Sequence, residues 1–274
     1  MVERLENYGR LAIHTMTFKF LSLFEIVKLF QKYEVPGITV WREHIHDTGL
    51  KESKKILTDS GLNVVSVCRG GFFPSASGRE REQACIETMK AIDEAYEIGA
   101  PLLVLVCGAE PGVPLSEARQ QIMDGIQKVL PHAKSAEVCL GIEPLHPMYA
   151  DNRSAINMME QANNIVSALH SEWLGIVLDV YHVWWEPWLQ SEIMRAERKI
   201  KAFHVSDWKT PTTHLLTDRG LMGEGCIPIR QIRAWVEQAG FHGFIEVEIF
   251  SEKYWALPPE NLIQQIKDAY LRFV

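Results

Sequence analysis

A regular alternation of short apolar runs with longer amphipathic stretches constrains the fold of this chain more than any other feature. Eight apolar runs are predicted as strands, at Leu11–Met16, Gly37–Trp41, Asn63–Cys68, Pro101–Cys107, Val138–Leu145, Leu174–Tyr181, Ile200–Ser206 and Gly243–Phe250. Eight stretches with helical periodicity follow them in turn, at Leu21–Tyr33, Thr48–Ser60, Arg79–Ile98, Leu115–Ala136, Arg153–His170, Gln190–Arg198, Ile229–Ala239 and Pro259–Phe273. Strands that alternate with helices pair in parallel through right-handed crossovers. The pattern predicts an α/β fold in which residues 1–274 form one (β/α)8 TIM barrel.

The length of the chain and the placement of its loops favour the closed barrel over a doubly wound open sheet. The chain has 274 residues, close to the roughly 250 that one barrel needs. An open nucleotide-binding sheet has a glycine-rich turn after its first strand, whereas the first strand here runs into His14-Thr15-Met16 without glycine. The longest loops follow strands, and in a barrel these loops meet on the face where active sites are built.

Charge and cysteine usage exclude several classes of protein. The net charge is −7, and no run of like charges resembles a nucleic-acid-binding segment. The chain lacks an apolar stretch of membrane-spanning length and a signal-like leader, so we expect a cytoplasmic protein that contacts neither membranes nor nucleic acid. The five cysteines contain no C-x-x-C pair, which argues against a disulfide framework or a structural zinc site.

Strand parity places carboxylates and a histidine on the inner side of four consecutive strands. Glu143, Asp179 and His204 end the fifth, sixth and seventh strands, and Glu246 and Glu248 share the inner side of the eighth. Buried charges require compensation, either from interior salt bridges or from a cation. Few basic residues lie on these strands, so we favour one divalent cation. An oxygen-rich ligand set suits Mn²⁺ best, with Mg²⁺, Co²⁺ or Zn²⁺ as alternatives.

Two further histidines and several aromatic residues follow the same strands. His146 and His182 each come three residues after an inner carboxylate, where they could contact a ligand or act as acid or base. Trp41 and Trp185 could stack on a sugar ring, although loop packing is an alternative for such residues. The remaining histidines considered are predicted to lie at the surface: His44, His46, His132, His170, His214 and His242.

The strand-end motifs resemble those of the xylose isomerase-like TIM-barrel superfamily, which includes tagatose and psicose 3-epimerases and inosose isomerases. The resemblance covers nearly the whole chain and is strongest at Gly141-Ile142-Glu143-Pro144, Leu178-Asp179-Val180-Tyr181-His182, Phe203-His204-Val205 and Glu248. It implies that one divalent metal is held by Glu143, Asp179, His204 and Glu248. Glu248 is preferred over Glu246, which parity places one layer deeper.

The resemblance also implies an activity. Such enzymes abstract a proton next to a carbonyl and pass through a metal-stabilised enediolate, so Glu143 and Glu248 are the expected bases. His182 would contact substrate hydroxyls. The epimerases carry an arginine six residues after the seventh-strand histidine, but this chain has Thr210 there, and Arg219 is the candidate replacement. The implied substrate is a keto-sugar or ketocyclitol.

Two other functions remain open at this stage. His146 offers a third base, as in superfamily lyases such as inosose dehydratases and the deglycosidases that act on a 3-oxo-sugar. A β-eliminating lyase is therefore the alternative to an isomerase or epimerase, and a deglycosidase would have a partner subunit. Otherwise we expect a homo-oligomer. Endonuclease IV-type DNA repair shares the fold but needs extra histidines where this chain has Cys68-Arg69-Gly70 and Cys107-Gly108-Ala109.

Overall fold

Eight parallel strands close into a barrel in the computed structural model, which describes residues 4–274. The strands are Leu11–His14, Gly37–Trp41, Asn63–Gly71, Leu102–Val106, Cys139–Ile142, Leu174–Asp179, Ile200–Val205 and Ile245–Val247. Each strand pairs with its neighbours in chain order, and the eighth strand pairs with the first through Ile245 and Leu11. The predicted (β/α)8 TIM barrel is thereby confirmed.

Helices surround the barrel and also shape its loops. The α-helices are Leu23–Lys32, Arg42–Thr48, Leu50–Ser60, Gly78–Glu97, Leu115–Ser135, Met159–Leu169, Val180–Val183, Leu189–Ala196, Ile229–Gln238, Glu252–Trp255 and Pro259–Phe273. Short 3-10 helices cover Thr15–Phe18, Pro147–Tyr149 and Glu197–Lys199. A two-stranded antiparallel ribbon joins Asp207–Trp208 to Arg219–Gly220 beside the seventh strand. None of the helices in the described residues is both long and apolar enough to cross a bilayer.

The main apolar core lies between the strands and the outer helices. The helix Leu23–Lys32 shows how the sequence produces this packing. Its N-cap Ser22 accepts a hydrogen bond from the backbone N–H of Glu25, and the Glu25 side chain accepts one from the N–H of Ser22 in return, which satisfies donors that a helix start leaves open. Ile26 and Phe30, one turn apart, are fully buried against the barrel. Apolar residues at helical spacing thus fix the helix on the sheet.

A second, smaller apolar cluster fills the barrel lumen. It consists of inward-facing strand residues: Trp41, Cys68, Leu102, Val104, Val177 and Ala202. Gly141 belongs to the same layer, because a Cβ there would lie 2.6 Å from Cγ2 of Val177. Since side chains alternate along a strand, Asp179 and His204 face the same side as Val177 and Ala202, two residues further along. The polar site therefore stands directly above this apolar layer.

Three expectations about local structure need correction. The predicted helix Arg153–His170 begins only at Met159, because residues 153–157 are hydrogen-bonded in a loop in which Asn157 Nδ2 donates to the carbonyl of Leu145. The predicted helix Thr48–Ser60 begins at Leu50, since Gly49 with φ +85° separates it from the preceding helix. His44, predicted at the surface, is buried under its own helix.

Candidate active site

Four predicted ligands converge at the carboxyl ends of the fifth to eighth strands. Asp179 ends the sixth strand and His204 lies near the end of the seventh, while Glu143 and Glu248 come directly after the fifth and eighth. One donor atom from each of the four residues lies within 4.8 Å of all the others. All four side chains are buried. Neighbouring parallel strands end on the same face of the barrel, which explains why residues up to 105 positions apart meet here.

Arg219 lies among these carboxylates. Its Nη1 donates to Oδ2 of Asp179 and to Oε2 of Glu248, both at 2.7 Å. Its Nη2 lies 3.1 Å from Nε2 of His182. The backbone of Arg219 belongs to the antiparallel ribbon, and its N–H donates to the carbonyl of Phe250. The ribbon therefore brings the guanidinium of Arg219, the candidate replacement for the epimerase arginine, into the acidic cluster.

The surroundings separate the two glutamates electrostatically. Burial raises the pKa of Glu143 to about 7. Burial also acts to raise the pKa of Glu248, but the Arg219 guanidinium together with His14 and His204 outweighs it and holds that pKa well below its usual range. Burial acts to lower the pKa of His204, yet the neighbouring carboxylates of Glu246 and Glu143 raise it well above its ordinary value. Of the two glutamates, Glu143 is thus the one that holds a proton more readily.

A polar layer lies beneath the four ligands. Glu246 is fully buried and accepts hydrogen bonds from Thr39 at 2.5 Å and from Ser66 at 2.9 Å. Its Oε2 lies 3.6 Å from Nε2 of His204 and 3.7 Å from Nε2 of His14. Strand parity anticipated this deeper position for Glu246. Glu246 therefore lies beneath the rings of His204 and His14, and within the described residues neither Nε2 atom is close enough to it for a hydrogen bond.

The donor set fits a divalent cation. Three carboxylates and one imidazole within mutual reach are typical ligands for Mn²⁺, Mg²⁺ or Zn²⁺. Oε1 of Glu143 and Nδ1 of His204 are buried 3.2 Å apart, and neither atom has a hydrogen-bond partner in the described part of the chain. Buried polar atoms are almost always satisfied, so these two atoms indicate a missing positive partner. Asp179 and Glu248 would share their carboxylates between such a cation and Arg219, which they now contact.

A narrow cleft leads from the cluster to the surface. Glu143, Glu248, His182 and Arg219 line its floor, and its wall and mouth are formed by Trp41, Arg69, Val106, Leu145, Tyr149, Arg153, Leu216 and Phe250. Its volume is about 40 Å³, little more than one water molecule occupies. A sugar-sized ligand must therefore displace side chains at the mouth.

The predicted substrate contacts divide into two groups. Trp41 and His182 line the cleft, and the indole N–H of Trp41 donates to Nδ1 of His14 at 3.1 Å. His146 and Trp185 do not line it. The His146 ring stacks on Trp208 with the ring centroids 4.9 Å apart, and the Trp185 indole donates to the carbonyl of His182. Trp185 therefore supports the backbone of a cleft residue.

The sequence-based search missed three residues of the site. His14 ends the first strand and faces Glu248 at 3.1 Å, so the parity argument applied to the other strands would have found it. Tyr149 and Arg153 come from the long loop after the fifth strand. No periodic pattern marks residues in such a loop, and only the folded chain shows that they reach the cleft.

Comparison with known proteins agrees with this geometry. Residues 24–272 match the xylose isomerase-like TIM barrel family. The chain belongs to that family. Among solved structures, a protein from Sinorhizobium meliloti 1021, SMc04130, shares 42% sequence identity and superposes with a TM-score of 0.94 over 96% of this chain and 98% of its own.

Other members of the xylose isomerase-like family have names that describe an activity or a ligand. The inosose isomerase of Halalkalibacterium halodurans is 27% identical over 85% of this chain and 82% of its own length. The IOLI protein, solved with a bound zinc atom, has a TM-score of 0.83 at 21% identity and covers 95% of this chain and 96% of its own. The likeness to the IOLI protein supports the fold alone.

Proposed function

We propose that this protein is a divalent-metal-dependent isomerase or epimerase that acts on a keto-sugar or ketocyclitol by removing and returning a proton next to the carbonyl. The observation that carries the proposal is the convergence of Glu143, Asp179, His204 and Glu248 within 4.8 Å at the end of a family barrel. The resemblance to a curated inosose isomerase over most of both chains supports the class of substrate. The metal set is proposed as these four residues.

Glu143 and Glu248 are the proposed proton carriers. They follow the fifth and eighth strands, so the strands of Asp179 and His204 lie between them around the barrel. Two carboxylates on either side of a bound substrate can remove a proton from one face and return it to the other, which inverts or moves a stereocentre. Their pKa values are pushed apart, upward at Glu143 by burial and downward at Glu248 by Arg219 and the neighbouring histidines, which suits ionised Glu248 to take the proton from one face while protonated Glu143 donates one to the other.

The other groups of the cleft hold the substrate and its developing charge. A divalent cation in this site would act as a Lewis acid that polarises the substrate oxygens next to the proton being removed. Arg219 and His182, in contact with each other at 3.1 Å, would donate to or accept from the remaining hydroxyls. Burial and the charge of Arg219 hold the pKa of His182 well below its usual value, so this ring is neutral and can do both.

Solvent exchange tests the proposal directly. Protein loaded with Mn²⁺ or Zn²⁺ is incubated in D₂O with a panel of inososes and ketoses, and ¹H NMR follows the proton next to the carbonyl. We expect loss of that signal with at least one substrate and an unchanged carbon skeleton. Glu143→Gln and Glu248→Gln should each slow exchange by about 100-fold or more, the usual contribution of a general base.

Controls separate the bases from general damage. Glu172 is exposed before the sixth strand, at the opposite end of the barrel, so Glu172→Gln should exchange at the rate of the parent protein. Asp179→Asn should lose bound metal, measured by elemental analysis, together with exchange. Exchange that persists in both glutamate variants would remove them from the proposed role, and absence of exchange with every substrate would overturn the proposed reaction.

A lyase receives less support from the structure. The backbone N–H of Met148 donates to Nδ1 of His146 at 3.2 Å, which places the proton of a neutral ring on Nε2. In that state neither nitrogen of His146 is free to accept a proton from a substrate. The ring is also absent from the lining of the cleft.

A further inference from the structure

Two arginines at the mouth of the cleft have no acidic partner. Arg69 and Arg153 line the same cleft as Glu143, Glu248 and Arg219. Within residues 4–274, neither guanidinium forms an ion pair or a side-chain hydrogen bond with the protein. Other partly buried arginines behave differently: Arg42 pairs with Glu94, and Arg10 pairs with Glu237.

An irregularity in the barrel aims Arg69 at the mouth. In the pairing of the third and fourth strands, Cys68 lies opposite Val104 and Gly70 lies opposite Leu105, so Arg69 is an extra residue in the ladder. Such bulges redirect a side chain and are common beside active sites. The guanidinium carbon of Arg69 lies 5.4 Å from the ring centre of Trp41 and 5.1 Å from that of Phe72.

Hydrogen bonds of both its backbone N–H and its backbone carbonyl fix Arg153 in the loop after the fifth strand. Its N–H donates to the carbonyl of Tyr149 at 3.0 Å, and its carbonyl accepts from the N–H of Gly108 at 2.9 Å. Its guanidinium carbon lies 5.4 Å from the centre of the Tyr149 ring. Burial lowers the pKa of Arg153, and the charge of Arg69 lowers it further, which shows that the two cations feel each other.

Aromatic contacts do not satisfy these two arginines. A cation above an aromatic ring gains about 0.5–1 kcal/mol at an exposed site, but its N–H donors remain free. Each guanidinium carries five donors in a planar fork that matches the geometry of a carboxylate or a phosphate. Two such forks at one cleft, with no protein acceptor, are a costly arrangement unless an anion is to bind there.

The charge balance of the site with a bound divalent cation also favours an anionic ligand. Glu143, Asp179, Glu246 and Glu248 supply four negative charges, and the guanidinium groups of the cleft supply three positive ones. A divalent cation raises the positive total to five, so the loaded site carries an excess of one positive charge when its histidines are neutral. A neutral sugar would leave that excess uncompensated, whereas a substrate with one anionic group would neutralise it.

We infer that Arg69 and Arg153 form an anion subsite, and that the substrate is a keto-sugar or ketocyclitol bearing a carboxylate or a phosphate group. This inference deepens the proposed function and rests on it for the reacting end of the substrate. The subsite lies at the mouth, while proton transfer takes place at Glu143 and Glu248 below.

Titration calorimetry with three six-carbon ketoses tests the subsite. D-Fructose is neutral, 5-keto-D-gluconate carries a carboxylate, and D-fructose 6-phosphate carries a phosphate. We expect at least one anionic ketose to bind about tenfold more tightly than fructose, a difference of about 1.4 kcal/mol. The anion that binds more tightly identifies the group that the subsite accepts. The Arg69→Gln, Arg153→Gln double variant should bind all three ketoses within about twofold of one another, because one charge-assisted pair accounts for the preference.

Matched controls assign the effect to these two arginines. Arg79 is exposed at the start of the helix Gly78–Glu97, and Lys134 is exposed near the end of the helix Leu115–Ser135. The Arg79→Gln, Lys134→Gln double variant therefore lowers the net charge equally but should keep the preference. Titrations after removal of metal by a chelator separate binding to arginine from binding of phosphate to the cation. Fructose that binds as tightly as both anions, or a preference that survives in the double variant, would overturn the subsite.

The result of the titration calorimetry is independent of the deuterium-exchange experiment that tests the reaction. A parent protein that exchanges the substrate proton but binds fructose as tightly as both anions would overturn the subsite and leave the proposed reaction in place. An anion preference that depends on Arg69 and Arg153, found in a protein that exchanges no substrate proton, would support the subsite and overturn the reaction.

Discussion

Arg219 is the residue that most clearly couples the acidic cluster to its compensating charge. It is 4% exposed and contacts carboxylate oxygens of both Asp179 and Glu248 at 2.7 Å. Removal of one partner from a buried ion pair leaves an uncompensated charge and typically costs 3–5 kcal/mol. The same carboxylates are proposed metal ligands, so a bound cation should take over the neutralising role of the guanidinium.

We therefore expect Arg219→Gln to destabilise the protein mainly when metal is absent. In chelator, the free energy of unfolding in urea should fall by about 3 kcal/mol, and saturating Mn²⁺ should restore most of it. Arg42→Gln breaks a pair with Glu94 away from the site and should cost the same with and without Mn²⁺. Equal losses for Arg219→Gln under both conditions would contradict a shared role for arginine and metal.

His146 separates an isomerase from a lyase. Its Nδ1 accepts a hydrogen bond from the N–H of Met148, and burial lowers its pKa, so the ring is neutral with its proton on Nε2. If it is not the base, His146→Gln should change the rate of substrate proton exchange by less than about threefold, against 10²–10⁴ for loss of a general base. The measurement is ¹H NMR in D₂O with the substrate that exchanges fastest. A hundredfold loss, together with release of water or an aglycone, would favour the lyase.

At the scale of elements, a buried glutamate holds the start of the helix Met159–Leu169. This helix has no side-chain N-cap of its own, and instead the backbone N–H of Met159 donates to the Glu186 carboxylate at 2.9 Å. The negative charge suits the helix N-terminus. Burial nevertheless dominates and raises the pKa of Glu186 to about 7.

The raised pKa of Glu186 predicts a pH-dependent contribution to stability. Between its usual value of about 4.5 and about 7, the folded state binds more protons than the unfolded state, so the free energy of unfolding falls as pH rises. Glu186→Gln keeps a hydrogen-bond acceptor for the backbone N–H of Met159. Because the new side chain does not ionise, the free energy of unfolding should no longer fall with pH over this range. The free energy of unfolding of this variant should match that of the parent protein at pH 4.5 and exceed it by about 2–3 kcal/mol at pH 8.

Urea unfolding across that range measures the difference. Glu172→Gln, an exposed change outside this helix, should leave the pH dependence of the parent protein unaltered. A Glu186→Gln protein that loses stability with pH as steeply as the parent would show that Glu186 does not ionise in this window.

At the scale of the whole molecule, metal binding should stabilise the barrel. The ligands come from four strands that span residues 143–248, so the cation would bind the folded state and not the unfolded chain. At a free metal concentration of 100 Kd, such binding adds about 2.7 kcal/mol. For a domain of this size, that should raise Tm by about 5 °C.

Differential scanning calorimetry with and without chelator tests this expectation. The shift should be reversed by the chelator and absent in Asp179→Asn, which removes a ligand but keeps a side chain of similar size. The cation that produces the largest shift among Mn²⁺, Mg²⁺, Co²⁺ and Zn²⁺ identifies the preferred metal. An unchanged Tm with all four cations would contradict the proposed metal site.

The barrel and the convergence of its inner acidic residues could be predicted because both follow from periodic patterns. Strand–helix alternation specifies parallel neighbours, and the two-residue period of a strand shows which side chains share a face. That local rule separated Glu246 from Glu248 by one layer, and the structure has the same order. The strand ends were less well defined: the predicted fifth and eighth strands continue past Ile142 and Val247, where the regular strands end although Glu143 and Glu248 each still donate one backbone hydrogen bond to the neighbouring strand.

The sequence by itself thus determined the closed barrel and the candidates for its acidic centre. Only the tertiary structure decided what surrounds that centre: that Arg219 enters it, that Arg69 and Arg153 meet at its mouth, and that His146 stacks on Trp208 instead. These side chains lie at a bulge or in loops after strands, where no repeat fixes their direction. Their positions depend on contacts between segments far apart in the chain, such as the hydrogen bond from the backbone N–H of Arg219 to the carbonyl of Phe250. Such contacts form only when the barrel is closed.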